Sequence, residues 1–186
     1  MKDLLATIRG HFFRLKCKIG RKNVFIGSGL RIYKKFSILG DGKIVMGKNC
    51  LIDGMIGSNN FVCIQTFNSA AGITIGDNVS LYAARIASKF NIVIGDDVII
   101  EDASIVDTDF HTLDRSRATP LDENIIKNQI IIGDRVHIGA QTFITKGVVV
   151  GDDVITAPFS VVAKSVKPCQ FAYGNPLVCR ERGRIH

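Results

Sequence analysis

The chain of 186 residues has no tryptophan, only 8% aromatics and no CxxC pair. Scarce aromatics beside 46% hydrophobic residues and 18 glycines argue against a mixed α/β core and for stacked aliphatic layers. No apolar run reaches the roughly 18 residues of a membrane span, and no secretory hydrophobic region is present, so neither a spanning segment nor export is expected. The five cysteines (Cys17, Cys50, Cys63, Cys169, Cys179) are scattered and odd in number. They read as reduced thiols of a cytoplasmic protein, several of them in the core.

The net charge of +7 is unevenly spread. Residues 1–35 hold ten Lys/Arg and one acid, whereas the remainder is slightly acidic. A basic groove interleaved with stacking aromatics, as single-strand binders use, is absent from the sequence, so no nucleic-acid partner is expected.

What the chain does have is a six-residue period. Ile26, Ile32, Ile38 and Ile44 are spaced by six, and Ile132, Ile138, Ile144, Val150, Thr156 and Val162 repeat the pattern later. Between them the phase slips at several points, each expected to be a bulge or small loop at a corner. A single apolar phase every six residues suits a strand–turn unit wound around a three-sided coil, not an amphipathic helix. Counting from Ile94 puts Ile100 and Val106 inward, then Phe110 inward and His111 outward. Gly76-Asp77, Gly95-Asp96, Gly133-Asp134 and Gly151-Asp152 follow inward aliphatics and read as turn chemistry, not as a phosphate cradle.

The expected organisation is an all-β solenoid of about seven coils. Residues 1–20 form a basic amphipathic helical cap with Leu4, Leu5, Ile8, Phe12 and Leu15 at near-helical spacing. The cap covers the open end of the first coil, which would otherwise expose apolar side chains and an unpaired edge. The same segment suits peripheral contact with the inner face of an anionic membrane. Residues 21–166 form the coil, interrupted after His111 by a polar loop at 112–128, and residues 167–186 form a tail. The loop is expected to reach toward a cleft, with Arg115 and Arg117 available to an anionic acceptor.

The units IIGDRVHIGAQTFITKGVVVGDDV and SVVAKSV, with GNP near the end, resemble the hexapeptide-repeat acyltransferases. The resemblance spans about residues 20–180 and implies a left-handed parallel β-helix. Its sugar O-acetyltransferase branch is the nearer likeness. It implies acetyl-CoA as co-substrate, a homotrimer with active sites between subunits, and a sugar or glycan acceptor. His111 matches the family's catalytic histidine. Ala140 and Pro158 match positions that line coenzyme A, and Ala163 and Lys164 match a Thr-Lys pair of the late coils. Lys164, Arg180 and Arg182 are the expected phosphate partners. The chain departs from the family at Thr156, where an aliphatic is usual, and at Pro158-Phe159, where Ala-Gly is usual.

Acetyl transfer to a hydroxyl needs a base, and histidine titrates in the right range. Of four histidines, His11 falls in the cap, His186 is the last residue, and His137 sits outward in a regular rung. His111 stands at a corner beside an excursion and is the expected general base, with His137 next in line. Asp109, Asp107 and Glu101 are candidates to orient it or to bind acceptor hydroxyls, and a backbone carbonyl would orient it equally well. Backbone N–H groups are the expected oxyanion donors. No metal is expected. A γ-class carbonic anhydrase needs three zinc-binding histidines, and only His111 and His137 lie within the repeats. The expected activity is O-acetylation of a sugar in surface polysaccharide synthesis. N-acetylation of an amino-nucleotide-sugar is the main alternative, ahead of serine O-acetylation or a non-catalytic scaffold.

Overall fold

A computed structural model describes residues 1–55, 61–109 and 124–182. Helix α1 (Lys2–Gly20) leads into a coil of short strands. The first turn is β1 (Val24–Ile26), β2 (Arg31–Ile32) and β3 (Phe36–Leu39); the second is β4 (Lys43–Met46), β5 (Leu51–Asp53) and β6 (Val62–Thr66). The third is β7 (Gly72–Ile75), β8 (Ser80–Tyr82) and β9 (Arg85–Ser88); the fourth is β10 (Asn91–Ile94), β11 (Ile99–Glu101) and β12 (Ser104–Val106). The short helix α2 (Ile125–Asn128) precedes β13 (Ile130–Ile132), β14 (His137–Ile138) and β15 (Phe143–Ile144). The sixth turn is β16 (Val149–Val150), β17 (Ile155–Thr156) and β18 (Val161–Val162). A hairpin of β19 (Gln170–Tyr173) and β20 (Val178–Glu181) follows.

Every third strand stacks in parallel, giving three flat faces. Face one runs β1-β4-β7-β10-β13-β16, face two runs β2-β5-β8-β11-β14-β17-β19-β20, and face three runs β3-β6-β9-β12-β15-β18. Six complete turns are therefore present, and Val166 with β19 begins a seventh. This parallel-strand coil matches the left-handed hexapeptide β-helix expected from the sequence. The interior is a column of aliphatics, including Ile44, Ile73, Ile92, Ile130 and Val148 on face one, all at most 1% exposed. Burying each such side chain contributes roughly 1.5–3 kcal/mol.

The Gly-Asp pairs tie one turn to the next. Asp77 Oδ1 accepts from Lys48 N at 2.7 Å, Asp96 Oδ1 from Asp77 N at 2.7 Å, Asp134 Oδ1 from Asp96 N at 2.9 Å and Asp152 Oδ1 from Asp134 N at 3.0 Å. The preceding glycine is required by the closeness of the coils: a Cβ on Gly76 would lie 2.6 Å from the carbonyl oxygen of Gly95.

The expected register fails at one place. Ile94 and Ile100 are buried as expected, but Ile105 is the buried residue of β12, and Ser104 and Val106 face outward. The corner between β11 and β12 uses one residue fewer, with Asp102 at φ 39° making the sharp turn. Counting in sixes through it shifts every later side chain to the opposite face. The inward residues are Ala103, Ile105 and Asp107. Residues 56–60, 110–123 and 183–186, and with them His111, Arg115, Arg117 and the inward phase expected of Phe110, lie outside the described residues.

The two ends also differ from a plain cap and tail. Helix α1 covers the first turn as expected, with Ala6, Gly10 and Cys17 buried. Within the expected tail, β19 joins β17 in parallel and β20 pairs back antiparallel, so face two is extended by a hairpin. The last residues of the expected loop are helical instead. Asn124 caps α2, its side chain accepting from Lys127 N at 3.1 Å.

Candidate active site

His111 falls between Asp109, just after β12 of face three, and Asn124, just before α2 and β13 of face one, so the described residues on either side of it meet the corner between those two faces. Asp107 anchors the departing strand. Its carboxylate is fully buried and accepts from Ser88 Oγ at 2.7 Å, Lys89 N at 2.7 Å and Phe90 N at 2.9 Å. Each oxygen is thus committed to the turn that joins β9 to β10 one coil earlier. Asp107 therefore holds a corner together and does not present its carboxylate to a cleft. Two residues on, Asp109 Oδ2 stands 2.5 Å from Lys146 Nζ, and both side chains are partly exposed. That pair ties the residues after β12 to the corner after β15, where Gly147 N donates to Asn128 O at 2.9 Å.

Face three beside this corner is hollowed. A groove of about 620 Å³ runs over its outer surface, lined by Phe61, Cys63, Phe67, Arg85, Val106 and Phe143 among others. Arg85 is held at its edge by Asp102 at 3.2 Å and Ser104 Oγ at 3.2 Å. Burial raises the Cys63 thiol above its ordinary range, so it stands in the groove as a neutral thiol at pH 7. The sequence does not announce this groove. Phe61 and Phe67 flank β6 outside the repeat phase, and a count in sixes puts Val106 in the interior.

Glu101 is on face two, away from Asp107 and Asp109. Its Oε2 lies 3.4 Å from Nε2 of His137, a buried atom with no hydrogen-bond partner among the described residues. His137 belongs to an outward row set by strand register: Ser80, Ile99, His137, Ile155, Phe171 and Arg180. The row mixes apolar rungs with one histidine and ends in a guanidinium that lies 5.6 Å from the ring centre of Tyr173.

The expected coenzyme A residues separate into two groups. Ala140 and Pro158 meet at one corner, between faces two and three, where Phe159 N donates to Ala140 O at 2.9 Å. Ala163 and Lys164 are exposed at the next corner of the same turn, so these four residues bracket the late part of face three. Arg180 and Arg182 lie instead on the terminal hairpin of face two; Arg182 Nη1 donates to Asp153 O at 2.8 Å.

The departures near that corner have a physical cause. Thr156 is buried, and its Oγ1 accepts from Gly139 N at 3.0 Å, which an aliphatic residue would leave unpaired. Thr142 Oγ1 and Ser160 Oγ both donate to Ala157 O, at 3.2 and 2.7 Å. Phe159 takes the left-handed conformation at φ 60° and is 72% exposed, leaving a large ring at the coil edge.

Residues 129–164 match the family model described as bacterial transferase hexapeptide (six repeats). The chain is a hexapeptide-repeat β-helix. Solved structures share its fold. An N-acyltransferase of Bacillus cereus, AntD, solved as a point mutant in complex with dTDP and coenzyme A, is 23% identical with a TM-score of 0.66, over 91% of this chain and 88% of that one. The polysialic acid O-acetyltransferase OatWY is 24% identical with a TM-score of 0.62, over 88% of this chain and 77% of that one. The polysialic-acid-specific acetyltransferase NeuO is 20% identical with a TM-score of 0.55, over 87% and 81%. A sequence search against curated proteins gives no significant match. Within this hexapeptide-repeat β-helix, the matched residues 129–164 include β13 to β18 and so hold Ala140, Pro158, Ala163 and Lys164.

Proposed function

We propose that this protein is an acyltransferase that moves the acetyl group of acetyl-CoA to a sugar hydroxyl, with His111 as general base. The observation that carries the reading is the transferase hexapeptide repeat in the late coils, on a fold shared with sugar O- and N-acyltransferases. The site geometry is compatible with it. Asp109, two residues before His111 in sequence, pairs with Lys146, and the bordering face offers an open, mostly apolar groove.

In this reading the imidazole of His111 takes the proton of the sugar hydroxyl as the oxygen attacks the thioester carbonyl. Backbone N–H groups hold the oxyanion. The C–S bond then breaks, and the leaving thiolate receives the proton from His111. Direct attack needs no acyl-cysteine intermediate, and burial holds the Cys63 thiol in its neutral, less nucleophilic form. Ala140, Pro158 and Ala163 line the pantetheine arm, and Lys164, Arg180 and Arg182 meet the phosphates. Asp109 remains the acceptor-binding or orienting carboxylate, acting through its pair with Lys146, whereas Glu101 on face two stands against His137. A homotrimer with sites between subunits belongs to the same reading, supported by the exposed aromatics of face three. Surface glycan synthesis on the cytoplasmic side is the expected setting.

N-acylation of an amino-nucleotide-sugar is the second reading, favoured by the fold shared with a protein solved with dTDP and coenzyme A. Thiol release from acetyl-CoA, measured over a panel of sugars, nucleotide sugars and amino-sugars, separates the two. Turnover confined to hydroxyl acceptors supports O-acetylation. Turnover confined to amino-nucleotide-sugars replaces it with the second reading, and no turnover with any acceptor overturns both.

A further inference from the structure

Helix α1 is amphipathic in an unusual sense: small residues and the ring of Phe13, 4.8 Å from that of Phe36, face inward, while its other large apolar residues face solvent. Ala6 is 1% exposed, Gly10 is buried and Cys17 is 5% exposed, all against the first turn. The contact is close enough that a Cβ on Gly10 would lie 1.8 Å from Leu30 O. Leu5, Ile8, Phe12, Leu15 and Ile19 lie on the other side, with Phe12 65% and Ile19 78% exposed. At 3.6 residues per turn this stripe and the packed face are nearly opposite. Apart from Phe13, the large apolar side chains that would ordinarily dock a helix are therefore not used to dock it.

Charge borders the stripe on both sides. Lys2, Arg9 and Lys16 follow one edge, and Arg14 and Lys18 the other, all exposed. Asp3, the helix's lone acid, lies off the stripe and accepts from Tyr33 Oη at 2.7 Å. At the Lys18 end, Arg14, Lys18, Arg21 and Lys22 surround a hollow of about 300 Å³ beside the exposed ring of Phe25. The coil meanwhile fixes the helix in place: Arg14 Nε donates to Ile26 O at 2.9 Å and Arg9 Nη1 to Tyr33 O at 3.3 Å.

We propose that the outer face of α1 docks on an anionic phospholipid surface, lying in the plane of the interface. The apolar stripe enters the acyl boundary, and the two basic edges and the hollow around Phe25 meet lipid phosphates. A second copy of the helix fits less well, because the heptad-like stripe would bring cationic edges together at the positions that select partners. Crossing the bilayer is not the mode, since no described helix is long and apolar enough to span it. The proposal does not depend on the catalytic reading.

The test uses the full chain with vesicles of phosphatidylcholine alone and of phosphatidylcholine mixed with phosphatidylglycerol, read by co-sedimentation. The expected result is binding to the mixed vesicles, weakened by added salt. A Phe12→Ser/Ile8→Ser variant and a Lys16→Glu/Lys18→Glu variant should each lose roughly 10-fold or more in binding. These four side chains are exposed, so the melting temperature should stay near that of the wild type and a folding defect is separable. Equal binding to both vesicle types, or no binding to either, overturns the proposal. Concentration-dependent self-association of the wild type that Phe12→Ser/Ile8→Ser abolishes, without vesicle binding, assigns the face to a second copy instead.

Discussion

Asp107 accepts a hydrogen bond from Ser88 Oγ at 2.7 Å inside the protein, and the same carboxylate oxygen accepts from Phe90 N. A carboxyl group this deeply buried is retained because three donors satisfy it. Replacing it with alanine leaves those donors unpaired next to a cavity, so Asp107→Ala should destabilise the protein by roughly 2–5 kcal/mol. Chemical denaturation measures this directly. Activity should fall only as the folded fraction falls; a lost kcat at unchanged stability would return Asp107 to the site chemistry.

The Asp109–Lys146 pair makes a different prediction. Both groups are partly exposed, so Lys146→Met should change global stability by no more than about 1 kcal/mol. It should instead loosen the start of the His111 segment and raise KM for the acceptor several-fold, with KM for acetyl-CoA unchanged. Steady-state kinetics with each substrate varied in turn checks the split.

Cys50 supplies a pH dependence. Burial raises its thiol to about 11 from an ordinary value of 9.0, and Sγ lies 3.4 Å from Gly76 O. The unfolded chain therefore loses this proton first as pH rises. The sign follows: between pH 9 and 11 the unfolded state binds fewer protons, and folding stability falls, by on the order of 2 kcal/mol across the window. The slope fades below about pH 8, where the thiol is protonated in both states. A Cys50→Ala variant should show a shallower decline over that window, whatever its stability at neutral pH. Equal slopes would contradict the assignment.

The coil and its cap were legible because burial of one aliphatic per strand forces a six-residue period, and Ile26 to Ile44 and Ile132 to Val162 display it. The Gly-Asp turns were legible for a similar reason, since close coils leave few alternatives at Gly76 or Gly95. The slip before Ile105 was not. It depends on whether one corner spends a residue more or less, and Ser104 and Val106 are tolerable on either face. That slip concealed the face-three groove, and with it the neighbours of Cys63. The β19–β20 hairpin was hidden because its antiparallel pairing follows no hexapeptide phase. Near His111 the types and order of Asp107 and Asp109 were plain, but nothing in a sequence says that one carboxylate is buried against Ser88 and the other pairs with Lys146.

The most direct test is acetyl-CoA turnover with its best acceptor, wild type against His111→Ala, with melting temperatures measured in parallel. The account predicts a fall of roughly 10²–10⁴-fold in kcat with the melting temperature little changed. Turnover that survives the substitution would contradict it and move the base to another group, with His137 beside Glu101 the first to examine.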